Sequence, residues 1–425
     1  MTTTLILLVF IAGYIVIAFE NPLKVDKTAA ALITGVLCWT IYILQSNNVH
    51  TVSEELVHGF GEIASILFFL LGAMTIVELI DSHNGFDIIT QKINTKSKSR
   101  LLLIVAIFSF FLSALLDNLT TAIVMTSLCA KLLSDKTDRL WFAGIIIIAA
   151  NLGGAWSPLG DVTTTMLWIG GQITALNIIT TLLLPCLIAC IIPVMIVSKK
   201  FKGKNFQSLP IVQSTTAEKK EGKVILFSGL GFLLFVPLFK SITHLPPFMG
   251  MLLALGLMWI ITTIIHKDKG AADKEKFTVA KALQKIDTPS ILFFLGILLA
   301  VAALQSSGVL KTMAGTLNQT FKNEYIIGTV LGLLSSVVDN VPLVAATQGM
   351  YDLSVYPTDH TFWQFIAFTT GSGGSAIIIG SAAGVAVMGI EQIDFMWYLK
   401  KISWIALIAF AVGIGVFLLQ EYLLG

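Results

Sequence analysis

Two aspartate-asparagine pairs stand in long apolar stretches of this chain. LSALLDNLTTAIVM, residues 112–125, holds Asp117 and Asn118, and LSSVVDNVPLVAA, residues 334–346, holds Asp339 and Asn340, 222 residues later (339 less 117). A third carboxylate, Asp161, sits in NLGGAWSPLGDVTTTM, residues 151–166. An aspartate at the centre of a membrane span costs about 2.5–3.5 kcal/mol on insertion scales, and such residues usually mark ion or proton pathways. Capping a helix end is the plainer use of Asp117 and Asp339, and it is compatible with ion binding. Around them lie Thr120, Thr121, Asn151, Ser157, Thr163, Thr164 and Thr165, and from the second half Ser335, Ser336, Thr369, Thr370, Ser372, Ser375 and Ser381. Hydroxyls alone mean little, since membrane helices use them as packing glue. Carboxylate, amide, hydroxyl and carbonyl oxygens together can replace the hydration shell of a hard monovalent cation. Burial disfavours the charged form of a carboxylate, so a proton competes with the cation for the same group. An empty, unpaired carboxylate is too costly to carry through a dry intermediate, which makes exchange the expected outcome and excludes a leak.

The elements that hold these groups must be membrane helices. Of 425 residues, 56% are hydrophobic and 12% charged, with a mean hydropathy of +0.86, the composition of a polytopic membrane protein embedded in a lipid bilayer. The net charge of +2 says nothing about nucleic acid, but the basic residues gather in a few polar loops and no DNA- or RNA-binding motif is seen, so no nucleic-acid partner is expected; no nucleotide-binding loop is present either. No cofactor is expected. Cys38, Cys129, Cys186 and Cys190 lie in apolar segments and read as small core residues. Met1 to Phe19 reads as a retained first span, because it lacks a basic leader and a cleavage site.

Apolar runs fall near 4–19, 28–45, 61–80, 101–134, 141–170, 175–197, 224–239, 247–265, 291–305, 326–350, 362–390 and 402–424. Lysine and arginine collect in 81–100, 199–223 and 266–290, which are expected to be cytoplasmic loops of a multi-pass cell (inner) membrane protein. Segments with Glu54 and Glu55, or Asp352 and Asp359, go outside. These sides agree only if 101–134 and 326–350 each enter and leave on one side, as re-entrant hairpins with Asp117-Asn118 and Asp339-Asn340 near their tips. The stretches 141–170 and 362–390 then read as glycine-interrupted helices, with Gly153, Gly154 and Gly160 matching Gly373, Gly374 and Gly380. ILFFL recurs at 66–70 and 291–295. The expected organisation is an all-α fold of two inverted-topology repeats, 1–198 and 224–425, joined by a basic cytoplasmic linker, 199–223. That is the pattern of secondary transporters, with the site at the repeat interface.

All six histidines fall in loops or at span ends and form no metal cluster; His58 and His83 are the candidate pH sensors, with a solvated loop residue as the plain alternative.

At its aspartate motifs, and over nearly all of its length, the chain resembles the NhaD-type sodium/proton antiporters of the ion transporter superfamily, which also holds arsenite pumps and divalent-anion symporters. The motifs that carry the resemblance are LSALLDNLTTAIVM, NLGGAWSPLGDVTTT, SSVVDNVPLVAATQGMY and TGSGGSAIIIGSAAGVAVMG. The resemblance implies a scaffold that forms a homodimer and a transport domain that moves by an elevator-like step. Divalent-anion relatives carry Ser-Asn-Thr at both tips; the carboxylates here should repel a dianion. It further implies ion handling by Asp117, Asn118, Asn151, Asp161, Thr163, Thr164, Asp339 and Asn340, with Thr120 and Ser381 beside them, and Asp117 with Asp161 as the residues that hold Na+. Ser381 stands where the first repeat has Asp161, so the site should be weighted toward the first half. The expected function is exchange of Na+, and Li+, for protons across the cell membrane, not an enzymatic reaction. Two rivals remain: an arsenite or anion carrier on the same scaffold, and an intramembrane aspartyl protease using Asp117 and Asp161. The protease is disfavoured because Pro158-Leu159-Gly160-Asp161 lacks the first glycine of the expected Gly-x-Gly-Asp.

Overall fold

The computed structural model describes residues 2–18, 20–46, 48–86, 95–206, 216–267 and 277–424, and all of its regular elements are helical. In chain order they are α1 (Thr2–Ala18), α2 (Glu20–Leu23), α3 (Lys27–Gln45), α4 (Val49–Ser82), α5 (Lys98–Leu116), α6 (Asn118–Leu132), α7 (Lys136–Ala155), α8 (Val162–Ile169), α9 (Ala175–Lys200) and α10 (Thr216–Thr243). Then come α11 (Pro247–Ile265), α12 (Val279–Lys285), α13 (Thr288–Ser306), α14 (Val309–Phe321), α15 (Glu324–Leu334), α16 (Asn340–Met350), α17 (Thr361–Gly373), a short 3-10 turn (Ile378–Gly380), α18 (Ala382–Glu391), α19 (Phe395–Lys401) and α20 (Ser403–Leu424). Among the described residues, nine helices are long and apolar enough to cross a membrane.

At both expected places two helices pair and turn back, α5 with α6 and α15 with α16. At roughly 1.5 Å per residue α5 reaches about 28 Å and is one of the nine span-length helices, while α6 reaches about 22 Å and α15 and α16 about 17 Å each. The first hairpin turns on one residue, Asp117, at φ 75°. Lys98 at its start pairs with Asp138, just after the chain has left α6 and entered α7, so the hairpin begins and ends on one side. In the second, Tyr351 OH, one residue past α16, donates to Asn318 Oδ1 at 3.0 Å on α14, the helix that leads into α15. The hairpins run from Lys98 to Leu132 and from Glu324 to Met350, a few residues off the apolar runs because polar caps and first turns belong to the helices. The interrupted helices are α7 with α8 and α17 with α18.

Each hairpin packs on its interrupted helix through the same kind of contact. Ser113 Oγ on α5 donates to Ala150 O on α7 at 2.6 Å, and Ser335 Oγ, at the end of α15, donates to Thr370 O on α17 at 2.8 Å. A Cβ on Gly153 would stand 2.2 Å from Phe110 O, and one on Gly373 would stand 1.9 Å from Gly332 O, so only glycine lets the helices approach this closely. Helix α7 is the centre of this body, with 83% of its apolar window buried against 28% for α11. A second body comprises α1, α3, α4, α10, α11 and α13, and it meets the first mainly where α13 packs on α16 and α4 on α8.

The basic loops gather on one face. Lys98 N donates to Lys204 O and Phe206 N to Lys96 O, while Lys285 Nζ reaches Glu78 and Ser82 at 2.9 Å. Residues 87–94, 207–215 and 268–276 of those loops lie outside the described residues. Three expectations need correction. Helix α4 begins at Val49, so Glu54 and His58 are on its exposed flank and Glu55 is half-buried against Tyr42, on a helix instead of in a loop, because polar residues on a helix face open to solvent do not end it. Helices α9 and α10 run into 199–223, and α12 interrupts 266–290. The amphipathic α14, with buried Val309, Leu310 and Ala314, is absent from the apolar runs because only one of its faces is apolar.

Gly153→Ala is expected to destabilise by about 1–3 kcal/mol through overpacking against the α5 backbone. Gly389→Ala, where a Cβ meets nothing within 4 Å, is expected to be neutral or slightly stabilising. Thermal unfolding of the purified variants in detergent checks both, and equal melting temperatures for the two would refute the close-packing account.

Candidate ion-binding site

Four helices begin at the centre of the first body, and each is capped by a residue singled out in the sequence. Asp117 accepts from Thr120 N on α6 (2.8 Å), Asp161 from Thr163 N on α8 (3.1 Å), Asp339 from Val341 N on α16 (3.0 Å) and Ser381 from Gly384 N on α18 (3.2 Å). The local reason is that a helix N-terminus leaves amide hydrogens without acceptors, and Asp and Ser supply them.

Asp161 is the hub. It is 1% exposed, and its Oδ2 accepts from Asn118 Nδ2 of the first tip at 3.0 Å. Asn340 Nδ2 of the second tip lies 3.4 Å from Oδ1 and 3.3 Å from Oδ2. The two tips therefore converge on one carboxylate. Asn118 also donates to Asn151 Oδ1 at 3.1 Å, and Asn151 Nδ2 donates to Ser375 Oγ (2.9 Å) and Ser381 Oγ (3.0 Å). One hydrogen-bond network thus joins both hairpins and both helix breaks. Thr163 Oγ1, two residues from Asp161, is buried beside it and acts on the same carboxylate.

The other candidates take different positions. Both oxygens of Asp117 are held by Thr120, the second by Thr120 Oγ1 at 2.8 Å. Asp117 lines a cavity of about 10 Å³ with Met74, Leu116, Leu233 and Met251, at the apolar junction with the second body. Asp339 caps α16, and its own N–H donates to Tyr14 OH of α1 at 2.9 Å. Asp117 and Asp339 stand near enough for their charges to act on Asp161, but no hydrogen bond joins the three carboxylates. Thr164 Oγ1 donates to Ala155 O (3.3 Å), and Ser157 Oγ to Ala114 O (2.6 Å); both serve the broken backbone. Among the described residues, no lysine, arginine or histidine pairs with any of the three aspartates; Lys27 acts on Asp339 only through space.

Ser375, Tyr14 and Gly371 carried no distinct signal in the sequence, Ser375 being one hydroxyl among many. Gly371, whose Cβ would stand 3.7 Å from Asp161 Oδ2, leaves room beside the carboxylate. A cavity of about 790 Å³, on the face away from the basic loops, separates α4 and α13 from α8 and α16; Glu55, His58, Glu62, Gln172 and Gln348 line it.

The two histidines differ. His58 is exposed and pairs with Glu62 at 3.5 Å. His83 is not a solvated loop residue: it is 5% exposed, with Nδ1 on Leu79 O (2.6 Å) and Nε2 facing His266 Nε2 at 3.3 Å.

Residues 14–371 match the family model described as "Citrate transporter" (CitMHS). Two curated proteins of Arabidopsis thaliana are similar: sodium/proton antiporter 1, 45% identical over 97% of this chain and 71% of its own length, and sodium/proton antiporter 2, 44% identical over 97% and 98%. The Na+/H+ antiporter NhaD of Vibrio cholerae is 30% identical over 98% of this chain and 91% of that protein. Among solved structures, the YdaH transporter of Alcanivorax borkumensis superposes with a TM-score of 0.53 over 99% of this chain and 98% of its own, at 11% identity, which establishes a shared fold. The chain is a multi-pass membrane transporter that belongs to the citrate transporter family, in which it stands with the NhaD-type sodium/proton antiporters.

Proposed function

We propose that this protein exchanges Na+, and Li+, for protons across the cell membrane, with Asp161 as the group that holds the cation or the proton. The observation that carries this is the setting of Asp161 near two other carboxylates. Four helix N-termini and the C-termini of α5, α7, α15 and α17 end around the same breaks, so their partial charges oppose one another, and the negative excess of Asp117, Asp161 and Asp339 is left for a monovalent cation or a proton to answer. Asp161 meets only uncharged donors, so nothing in the site competes permanently for that place. The same setting disfavours the citrate of the family's description, and any other anion, because an anion adds to the negative excess. The protease reading needs Asp117 and Asp161 to share a proton, and Asp117 is instead bound to Thr120.

The wider reading follows from the same elements. Matching contacts at Ser113 and Ser335, and at Gly153 and Gly373, support two repeats, and the gathering of basic loops on one face supports a cytoplasmic side there and inverted orientation of the halves. The cavity lined by Glu55 and Glu62 is then an outer vestibule that draws cations inward. We take the first body as the moving part of an elevator and the second as a scaffold that dimerises, the dimer resting on family resemblance alone; native mass spectrometry that finds only monomer would remove it. His83, buried against His266 at the end of α4, is the better pH sensor of the two histidines.

In proteoliposomes with a preset pH gradient, Na+ or Li+ should dissipate the gradient and citrate should not; a gradient indifferent to both cations ends the antiport reading. Asp161→Asn should bring exchange down to the level of empty vesicles while the protein still inserts. Asp117→Asn keeps the helix cap and removes the charge, so wild-type exchange in this variant would reduce Asp117 to a structural role. His83→Ala should shift the pH profile of exchange and leave its maximal rate near that of the wild type, and an unmoved profile would dismiss the sensor.

A further inference from the structure

The polar chain that starts at Asp161 has two ways of being complete. In the structure Asn118 uses one Nδ2 hydrogen on Asp161 Oδ2 and the other on Asn151 Oδ1, and Asn151 uses its own two on Ser375 Oγ and Ser381 Oγ. These directions follow from the first acceptor: an ionised carboxylate only accepts, so every amide behind it must present NH2 forward and oxygen back. This is the arrangement that suits Asp161 charged and without a cation.

Loading reverses the demand. A cation at Asp161 is repelled by NH2 and attracted by a carbonyl oxygen, and a protonated Asp161 has an O–H to donate. In both cases Asn118 does better with Oδ1 toward the site. Asn151 then turns to donate its Nδ2 to Asn118 Oδ1 and presents its own oxygen to the two serines. A hydroxyl both donates and accepts and rotates freely, so Ser375 and Ser381 reverse direction without moving backbone. Ser381 still accepts from Gly384 N in either direction. A half-turned chain leaves two NH2 groups or two carbonyls facing each other in a buried site, which is costly, so the amides turn together.

We propose that Asn118, Asn151, Ser375 and Ser381 form a two-state hydrogen-bond relay that carries the charge state of Asp161 to the break in the second interrupted helix. Asn151 and Ser375 act as positioning residues. This inference rests on the cation/proton reading of Asp161 given above. Ser375 and Ser381 flank the 3-10 turn Ile378–Gly380, and Ser375 O accepts from Tyr398 OH at 2.9 Å, so the relay ends on backbone anchored to α19. The Na+-loaded and the protonated site share one orientation of the relay and the empty site takes the other. The second half of the molecule thereby senses whether the first is loaded, which is the discrimination that exchange without leak requires.

The test is Na+ binding by the purified full-length protein, with a double-mutant cycle. Ser375→Ala is the clean probe, because among the described residues Ser375 Oγ bonds only Asn151, while Ser381 also caps a helix. It should change the half-saturating Na+ concentration about two- to tenfold, the size of one neutral hydrogen bond, and should move the pH of Na+/H+ competition with it. In an Asn151→Leu background Ser375→Ala should have no further effect. Infrared difference spectra of protein carrying 13C-asparagine should show a side-chain carbonyl band that changes when Na+ binds, and this change should be altered in Ser375→Ala. An unchanged half-saturation in Ser375→Ala, or the same fold-change in both backgrounds, overturns the relay. Should Asn151→Leu fail to fold, identical Na+-induced asparagine bands in wild type and Ser375→Ala overturn it just as well. A wild type that binds no Na+ overturns the parent reading of Asp161 instead, so the two failures are distinguishable.

Discussion

A buried carboxylate must always be answered, and here the answer to Asp161 determines what surrounds it. Its oxygens meet amide hydrogens from Asn118, Asn340 and Thr163, which come from the first hairpin tip, the second tip and its own helix. To bring both asparagines within reach, two helix pairs must turn back within the protein, and two crossing helices must break. Irregular backbone at that depth persists only because side chains satisfy it: Ser157 on Ala114 O, Thr165 on Pro158 O, Tyr398 on Ser375 O. The close approach that lets these bonds form depends in turn on glycine at 153 and 373.

A helix N-terminus ordinarily favours an anion, and the family description names one. Here three of the four caps at the breaks are aspartates and the fourth is a serine, and Asp and Ser cap a helix in the same way, so the charge at a cap changes with little change of geometry.

Much of this was legible from residue types. The paired helices, the broken helices and the place of Asp117 and Asp339 at the turns could be read because charge in an apolar run is rare and the matching runs share a spacing. The helix start at Val49 and the amphipathic α14 were not, because polar residues on one face of a helix look like a loop when read in line. His83 looked like a span-end residue; only the packing of α4 beside α11 buries it against His266.

By itself the sequence determined that the chain crosses a membrane many times, that two polar-tipped stretches fold as paired helices, and that three carboxylates sit in apolar runs where carboxylates are costly. Those conclusions rest on local physics: hydropathy, length and desolvation. Only the tertiary structure decided where the three stand and what each one meets. Residues 117 and 161 are equally acidic in the sequence, but Asp117 folds back on Thr120 at the edge of the second body, while Asp161 collects donors from both tips. The partner of a buried polar group is set by which helices cross near it, and that depends on contacts between residues hundreds of positions apart, such as Asn151 with Ser381.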